Sequence, residues 1–192
     1  MTPSLRIVVA DDEPDVRDYY RKLLPRLGHN VVAAAETGTE LIAQCRAHKP
    51  DLVITDIKMP DMDGIDAATK LYQEMPLPVI LVSAYSDASL IERAEGDHIM
   101  AYLVKPIKQT DLEPAIGLAM RRFEQFEELR REAADMRQAL EDRKLIERAK
   151  GILMKETGLS EADAFRRLQR TSMEMRITMV ELARQVLPPT QK

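Results

Sequence analysis

Five side chains in this 192-residue chain have types and positions suited to one reaction. Asp11 and Asp12 follow the apolar run at 5–10, and Asp56 follows the run at 51–55. Ser83 follows the run at 79–82, and Lys105 follows the run at 100–104, just before Pro106. Three carboxylates drawn to one place repel each other, so a cation must accompany them. A hard divalent ion with oxygen ligands meets that need, and Mg²⁺ is the natural choice. Lys105 adds a second positive point and Ser83 a hydroxyl donor. Such a set suits phosphoryl transfer to a carboxylate. Asp56 is the expected nucleophile, the metal and Lys105 neutralise charge on the transferring group, and Ser83 bonds a phosphate oxygen. Each residue alone means little, since Asp after a strand is ordinary turn chemistry. Their order across successive strand ends carries the reading.

The intervening sequence supplies the elements that must position these groups. Residues 5–10, 30–34, 51–55, 79–82 and 100–104 read as buried strands. Helical spacing separates them at 16–27, which stops at Gly28, around Leu41, Ile42 and Cys45, at 65–72, and around 89–94. Strands alternating with helices predict parallel crossovers and a sheet covered on both faces. Five such units in residues 1–120 predict a small doubly wound α/β domain, whose chemistry sits at the C-terminal strand ends.

Four segments now identify a family. Val-Val-Ala-Asp11-Asp12-Glu13, Leu-Val-Ile-Thr-Asp56-Ile-Lys58-Met-Pro60-Asp-Met-Asp-Gly64, Val-Ser83-Ala84 and Ala-Tyr102-Leu-Val-Lys105-Pro106 resemble the receiver domain of two-component response regulators over about residues 4–120. The resemblance implies a flavodoxin-like five-stranded fold and phosphorylation of Asp56 by a sensor histidine kinase. It implies Mg²⁺ held by Asp12, Asp56 and the backbone carbonyl of Lys58, with Asp11 acting through water. It also matches Ser83 and Tyr102 to a switch pair. Ser83 moves toward the phosphoryl group, the ring turns into the vacated space, and the face of the fourth helix, fifth strand and fifth helix changes shape. One departure is His98-Ile99, where receivers often carry Gly-Ala; it precedes the fifth strand, outside the pocket. The expected role is relay input, not an enzyme with its own substrate.

Beyond Asp111 no strand pattern returns. Ala119, Phe126, Ala133 and Leu140 recur every seven residues, with Leu129 and Met136 at the intervening d-type positions. That is a short apolar seam, blunted at its ends by Arg122 and Arg143. The spacing predicts one helix over about 111–156, with a coiled-coil linker at 121–142. A homodimer through 119–143, promoted by phosphorylation, is the expected use of the seam. After Gly158, Ser160 with Asp163 reads as an N-cap, and Ala164, Phe165 and Leu168 as the buried face of a helix. Thr178 with Glu181 reads as a capping box, and Ile177 with Leu182 as its hydrophobic staple; Pro188-Pro189 ends the last helix. Residues 143–192 thus form a small all-α unit of three helices.

The segments Arg143-Lys-Leu-Ile-Glu-Arg148-Ala-Lys150-Gly-Ile-Leu-Met-Lys155, Gly158-Leu-Ser-Glu-Ala-Asp-Ala-Phe165-Arg-Arg-Leu168 and Thr171-Ser-Met173 resemble the ANTAR domain, over about 140–187. That resemblance implies an RNA-binding module of antitermination regulators, whose ligand is a pair of hairpins in a leader transcript. Arg148, Lys150, Lys155, Arg166, Arg167, Arg170 and Arg176 are the basic candidates for phosphate contact. Phe165 is expected in the core. The family often has Asn where this chain has Arg176, which adds charge there.

Bulk properties agree with two units. Residues 1–120 carry 12 Lys+Arg against 19 Asp+Glu, whereas 143–192 carry 11 against 6. An acidic front and a basic end suggest two functional units, the second meeting a polyanion. Aromatics are only 4% and Trp is absent, so the core must be aliphatic. The single cysteine, Cys45, excludes an intrachain disulfide and fits a structural thiol on a helix in a reducing compartment. With no signal-peptide pattern and no long apolar run, the chain is expected in the cytoplasm, away from membranes. Competing readings are a DNA-binding response regulator, a signalling adaptor acting through the coiled coil, and a phosphatase with a carboxylate nucleophile.

Overall fold

The structure, a computed structural model, describes residues 3–84 and 99–187. Its strands are β1 (Arg6–Ala10), β2 (Asn30–Ala35), β3 (Leu52–Asp56), β4 (Val79–Ser83) and β5 (Ile99–Val104). All pair in parallel, in the order β2-β1-β3-β4-β5. Asp56 and Ser83 are therefore the last residues of their strands rather than the first residues after them. The helix expected around 89–94, His98 and the stop at Pro188-Pro189 lie outside the described residues.

The apolar strands bury both faces, as a parallel sheet requires. Alternate residues point to opposite sides. Ile7, Val9, Ile54, Ile80 and Val82 pack with Tyr20 and Leu24 of α1 (Pro14–Arg26) and with Leu112 and Ile116 of α4 (Gln109–Thr157). Val8, Val53, Val79 and Leu81 pack with Leu41 and Cys45 of α2 (Gly38–His48) and with Ile65 and Leu71 of α3 (Gly64–Glu74). Both cores are aliphatic, as the composition demands. Burial pushes the Cys45 thiol up to about 12, so it is a packing residue and not a nucleophile.

Helix ends follow local chemistry. Pro14 starts α1, and Gly28 with φ of 84° follows its cap. Thr37 and Asp63 accept the N–H groups of Glu40 and Asp66 at the starts of α2 and α3. His29, just beyond α1, is buried, and its Nδ1 accepts the N–H of Leu5 at 3.3 Å. Burial holds its pKa below the ordinary value, against the pull of Glu113. The unfolded chain takes up a proton that native His29 refuses, so the contribution is complete above about pH 6.5 and is lost as the pH falls through the lowered native value. The urea midpoint is expected to drop between about pH 7.5 and about pH 5.5. In His29→Gln that part of the drop disappears.

The chain divides into two compact units, residues 1–127 and 128–192, and α4 runs through the boundary as one 49-residue helix. The second unit contains the end of α4 with α5 (Glu161–Met175) and α6 (Met179–Val186). Its core is small: Ala149, Leu168, Leu182 and Ala183, flanked by Leu145, Ile146, Leu153 and Ile177. Ser160 Oγ accepts the Asp163 N–H at 3.2 Å. Thr178 and Glu181 cap each other reciprocally, at 3.1 and 2.7 Å. Phe165 departs from expectation, being 42% exposed. The buried stripe is Ala164, Leu168 and Ser172, and Phe165 stands a further 100° or so around the helix. No helix among the described residues is long and apolar enough to cross a membrane.

Candidate functional site

β1 and β3 are neighbours at the centre of the sheet, and the chain turns to opposite sides after each. Their C-terminal ends therefore flank a crevice, the ordinary ligand position in such sheets. Asp11, one residue past β1, is fully buried there; Asp12 and Glu13 rise to the surface. Asp56 closes β3 and is nearly buried. Lys105, one residue past β5, reaches across the crevice. Its Nζ lies 2.9 Å from Asp11 Oδ2, 3.1 Å from Asp56 Oδ1 and 3.2 Å from Glu13 Oε1. Asp11 Oδ2 receives no aligned hydrogen bond, only this charge contact.

The main chain fixes the acids in place. The Lys58 N–H donates to Asp56 Oδ2 at 2.7 Å, and the Glu13 N–H to Asp11 Oδ1 at 3.0 Å. Arg17 of α1 donates through Nη1 to the carbonyls of Asp11 at 2.7 Å and Asp12 at 3.1 Å. Its other arm lies 3.7 Å from Glu36. One guanidinium thus holds the turn carrying both carboxylates and offsets part of their charge. Gly64 passes directly over Asp56. A Cβ there would overlap the Asp56 carbonyl oxygen, so only glycine fits.

Burial raises the Asp56 pKa above the usual carboxylate range. The charge of Asp11 adds to this, while Lys105 and the Lys58 N–H oppose it. Burial alone would lower the Lys105 ammonium, but its close contacts with the Asp11 and Asp56 carboxylates outweigh that and hold it above its ordinary value. Lys105 stays charged as the internal counter-ion of the crevice.

Ser83 is buried at the end of β4, where its carbonyl accepts the Lys105 N–H at 2.8 Å. Tyr102 of β5 is half-buried, in register with Leu81, and packs on the α2–α3 side of the sheet. Among the described residues, Asp11, Asp12 and Glu13 each offer a carboxylate oxygen within 4.8 Å of the others. This all-oxygen set suits a hard divalent cation. Glu13 was not expected in it; Asp56, expected as a further ligand, lies outside this cluster, with the Lys105 ammonium between it and Asp11. The one sequence signal for Glu13 is its place two residues past Asp11, at the N-cap of α1.

In the second unit, Arg148, Lys155, Arg166, Arg167, Arg170 and Arg176 are exposed. Lys150 departs from its expected place on the basic surface. It is 7% exposed, and its ammonium is held between Glu147 and Glu161, which keep its pKa above the ordinary value. Its charge is spent inside the unit, where it ties α4 to the start of α5. Arg176 ends α5 in the left-handed region, with φ of 56°. Asn tolerates that conformation far better than Arg, which gives Asn at this position a backbone reason.

Comparison with known proteins agrees with this division. The response regulator receiver domain profile matches residues 7–117, and the ANTAR domain profile matches 134–187. The transcriptional regulatory protein PdtaR of Mycobacterium tuberculosis is 43% identical over 182 residues, covering 95% of this chain and 89% of that protein. Among solved structures, the receiver domain of the response regulator NarL from M. tuberculosis is 31% identical with a TM-score of 0.56, covering 60% of this chain and 94% of its own. The isolated receiver domain of RcsB from Salmonella enterica, determined with the phosphomimetic BeF₃⁻, is 27% identical with a TM-score of 0.55, covering 59% and 86%. With a profile spanning more than half its length and a relative matching it nearly end to end, the chain belongs to the response regulators that join a receiver domain to a C-terminal ANTAR output domain.

Proposed function

We propose that a sensor histidine kinase phosphorylates Asp56, and that the phosphorylated protein binds RNA hairpins in a leader transcript to prevent termination. The observation that carries the first step is the Lys105 ammonium bridging Asp11 and Asp56 at the sheet edge. The Lys58 N–H occupies Asp56 Oδ2, which leaves Oδ1, beside Lys105, as the attacking oxygen. Oδ1 forms the new P–O bond as the P–N bond of the donor phosphohistidine breaks. Lys105 then follows the charge onto the phosphoryl oxygens, and Ser83 offers its hydroxyl to one of them. Asp11 and Asp12, with Asp56, the Lys58 carbonyl and now Glu13, are the groups to hold Mg²⁺, which when bound neutralises the transferring group.

The output side rests on the ANTAR assignment and on the exposed arginines. Leu129, Met136 and Leu140 are exposed along α4, with Met136 at 71%. That supports the 129–140 part of the homodimer seam expected over 119–143, engaged when Ser83 and Tyr102 switch; Ala119 is instead buried in the receiver core and Phe126 packs 6.3 Å from Tyr72, so neither is free to serve it. The domain limits that follow are a receiver at 1–120, a linker at 121–142 and an output domain at 143–192, in a cytoplasmic regulator without enzymatic turnover.

The test is labelling of the full chain with acetyl phosphate, followed by gel shift on leader RNA and on duplex DNA. Labelling should be stoichiometric and should vanish in Asp56→Asn or on removal of Mg²⁺, and the labelled protein should prefer RNA. Labelling that survives either change, or a preference for duplex DNA, sinks the reading.

A further inference from the structure

We propose that Tyr20 is a positioning residue of the receiver crevice, whose hydroxyl takes over Asp11 Oδ2 when Lys105 moves onto the phosphoryl group. The inference rests on the phosphorylation reading above and adds the group that supports the state it produces. Among the described residues, two buried side-chain polar atoms lack a hydrogen-bond partner: Asp11 Oδ2 and the Tyr20 hydroxyl. One can only accept, and the other can donate. Tyr20 is 1% exposed and Asp11 is fully buried, so neither is open to bulk water.

Local geometry directs the phenol at the crevice. Tyr20 stands on the inner face of α1, in one core with Val9, Ile54 and Val82. The Asp11 N–H donates to the Ala35 carbonyl at 3.1 Å, so Asp11 prolongs β1 by one residue. It continues the alternation of Ile7 and Val9, and Asp56 continues that of Ile54. Both acids therefore emerge on the Tyr20 side of the sheet. α1 begins at Pro14, beside the crevice. A helical side chain leans toward the N-terminus of its own helix, so the phenol leans toward the acids. Burial, and after it the charges of Asp11 and Asp56, raise the Tyr20 pKa above its ordinary value, so the hydroxyl keeps its proton.

A buried hydroxyl without a partner costs free energy, so a plain hydrophobe would suit the resting core better. Its use comes with the exchange at Lys105. That ammonium lies 2.9 Å from Asp11 Oδ2, while Oδ1 accepts the Glu13 N–H. Once the ammonium follows the charge onto the phosphoryl oxygens, Oδ2 is a buried carboxylate oxygen in need of a donor. Arg17 is already held by the carbonyls of Asp11 and Asp12, and Ser83 serves the phosphoryl group. The Tyr20 hydroxyl is the uncommitted donor on that side, and a bond to a charged oxygen is the strong kind.

The test uses the full chain and Tyr20→Phe, which keeps the ring and removes the hydroxyl. Without divalent ions, Tyr20→Phe should leave the urea midpoint of the parent chain unchanged or higher. In the Lys105→Met background, where Oδ2 has lost its ammonium for good, the same change should lower the folding equilibrium constant about tenfold. With saturating Mg²⁺, Tyr20→Phe should raise the BeF₃⁻ concentration for half-saturation about tenfold, followed by fluorine NMR. In protein carrying tyrosine labelled at Cζ, the Tyr20 signal, assigned by its loss in Tyr20→Phe, should move on BeF₃⁻ addition and in Lys105→Met. An equal cost of Tyr20→Phe in both backgrounds makes the hydroxyl a fixed structural group and overturns the exchange. Equal BeF₃⁻ saturation by Tyr20→Phe and the parent chain overturns it too, and leaves phosphorylation standing. If the parent chain takes up no BeF₃⁻, the phosphorylation reading itself falls, and the exchange with it.

Discussion

Gly64→Ala is expected to cost about 3 kcal/mol of receiver stability, the upper end of overpacking effects. The added Cβ would overlap the Asp56 carbonyl oxygen and lie 3.1 Å from Thr55 Oγ1. Neither neighbour can yield cheaply. The carbonyl belongs to the last residue of a central strand, and the Gly64 N–H is itself bonded to the Ile57 carbonyl at 2.8 Å. Relief must come from moving the β3–α3 turn, which carries the Lys58 N–H that orients Asp56. The variant should therefore lose acetyl phosphate labelling along with stability, both measurable by urea titration and phosphoprotein gel. Gly117→Ala is the matched control. Nothing lies within 4 Å of a Cβ there, inside α4, so the same substitution should be neutral or stabilising by up to about 1 kcal/mol. Equal effects at the two glycines would contradict the geometry.

Lys105→Met is expected to destabilise the receiver by about 3 kcal/mol at about pH 8, because it leaves buried carboxylates without their counter-ion. The loss lies at the low end of such effects because Lys105 keeps some access to water. The loss should shrink as the pH falls. Asp56 already titrates above the usual range because it is buried, and Lys105 is the main group pulling it back. A raised acid binds a proton in the native state that the unfolded chain lacks, so its contribution is complete at low pH and is lost as the pH rises through the native value. Without Lys105 that value climbs further. The deficit should therefore be largest near pH 8 and markedly smaller near pH 5, read from urea midpoints without divalent ions. A deficit independent of pH would mean that Lys105 acts by packing alone.

The strand ends were legible in sequence because a parallel sheet leaves little freedom. Apolar runs set the strands, topology brings their C-terminal ends together, and Asp11, Asp56, Ser83 and Lys105 follow. Glu13 and Arg17 were not legible as site residues, since their roles come from the path of a turn and not from a pattern. Helix caps at Ser160 and Thr178 were readable, being local. Phe165 and Lys150 were misread for opposite reasons. An apolar residue beside a buried stripe looks buried until the cross-helix neighbours that fill the small core are known. A lysine in a basic stretch looks free until Glu161, eleven residues on and across a turn, is found beside it. Arg176 shows a third limit: its side chain suggests charge, while its backbone occupies a conformation that charge does not explain.

The middle of α4 leads to a different kind of consequence. Residues 131–140 are all exposed, so this stretch keeps its helix on local bonds alone. Helices of that sort open readily, since most helical stability in proteins comes from tertiary packing. Arg131 and Arg137 lie inside it, which makes it the natural point of entry for trypsin. Digestion rate then becomes a gauge of what covers the seam. A self-associating partner would slow cleavage as protein concentration rises, whereas cover from within the same chain would leave the rate unchanged. A protease timed against concentration thereby reads out whether the middle of α4 is covered by a second copy.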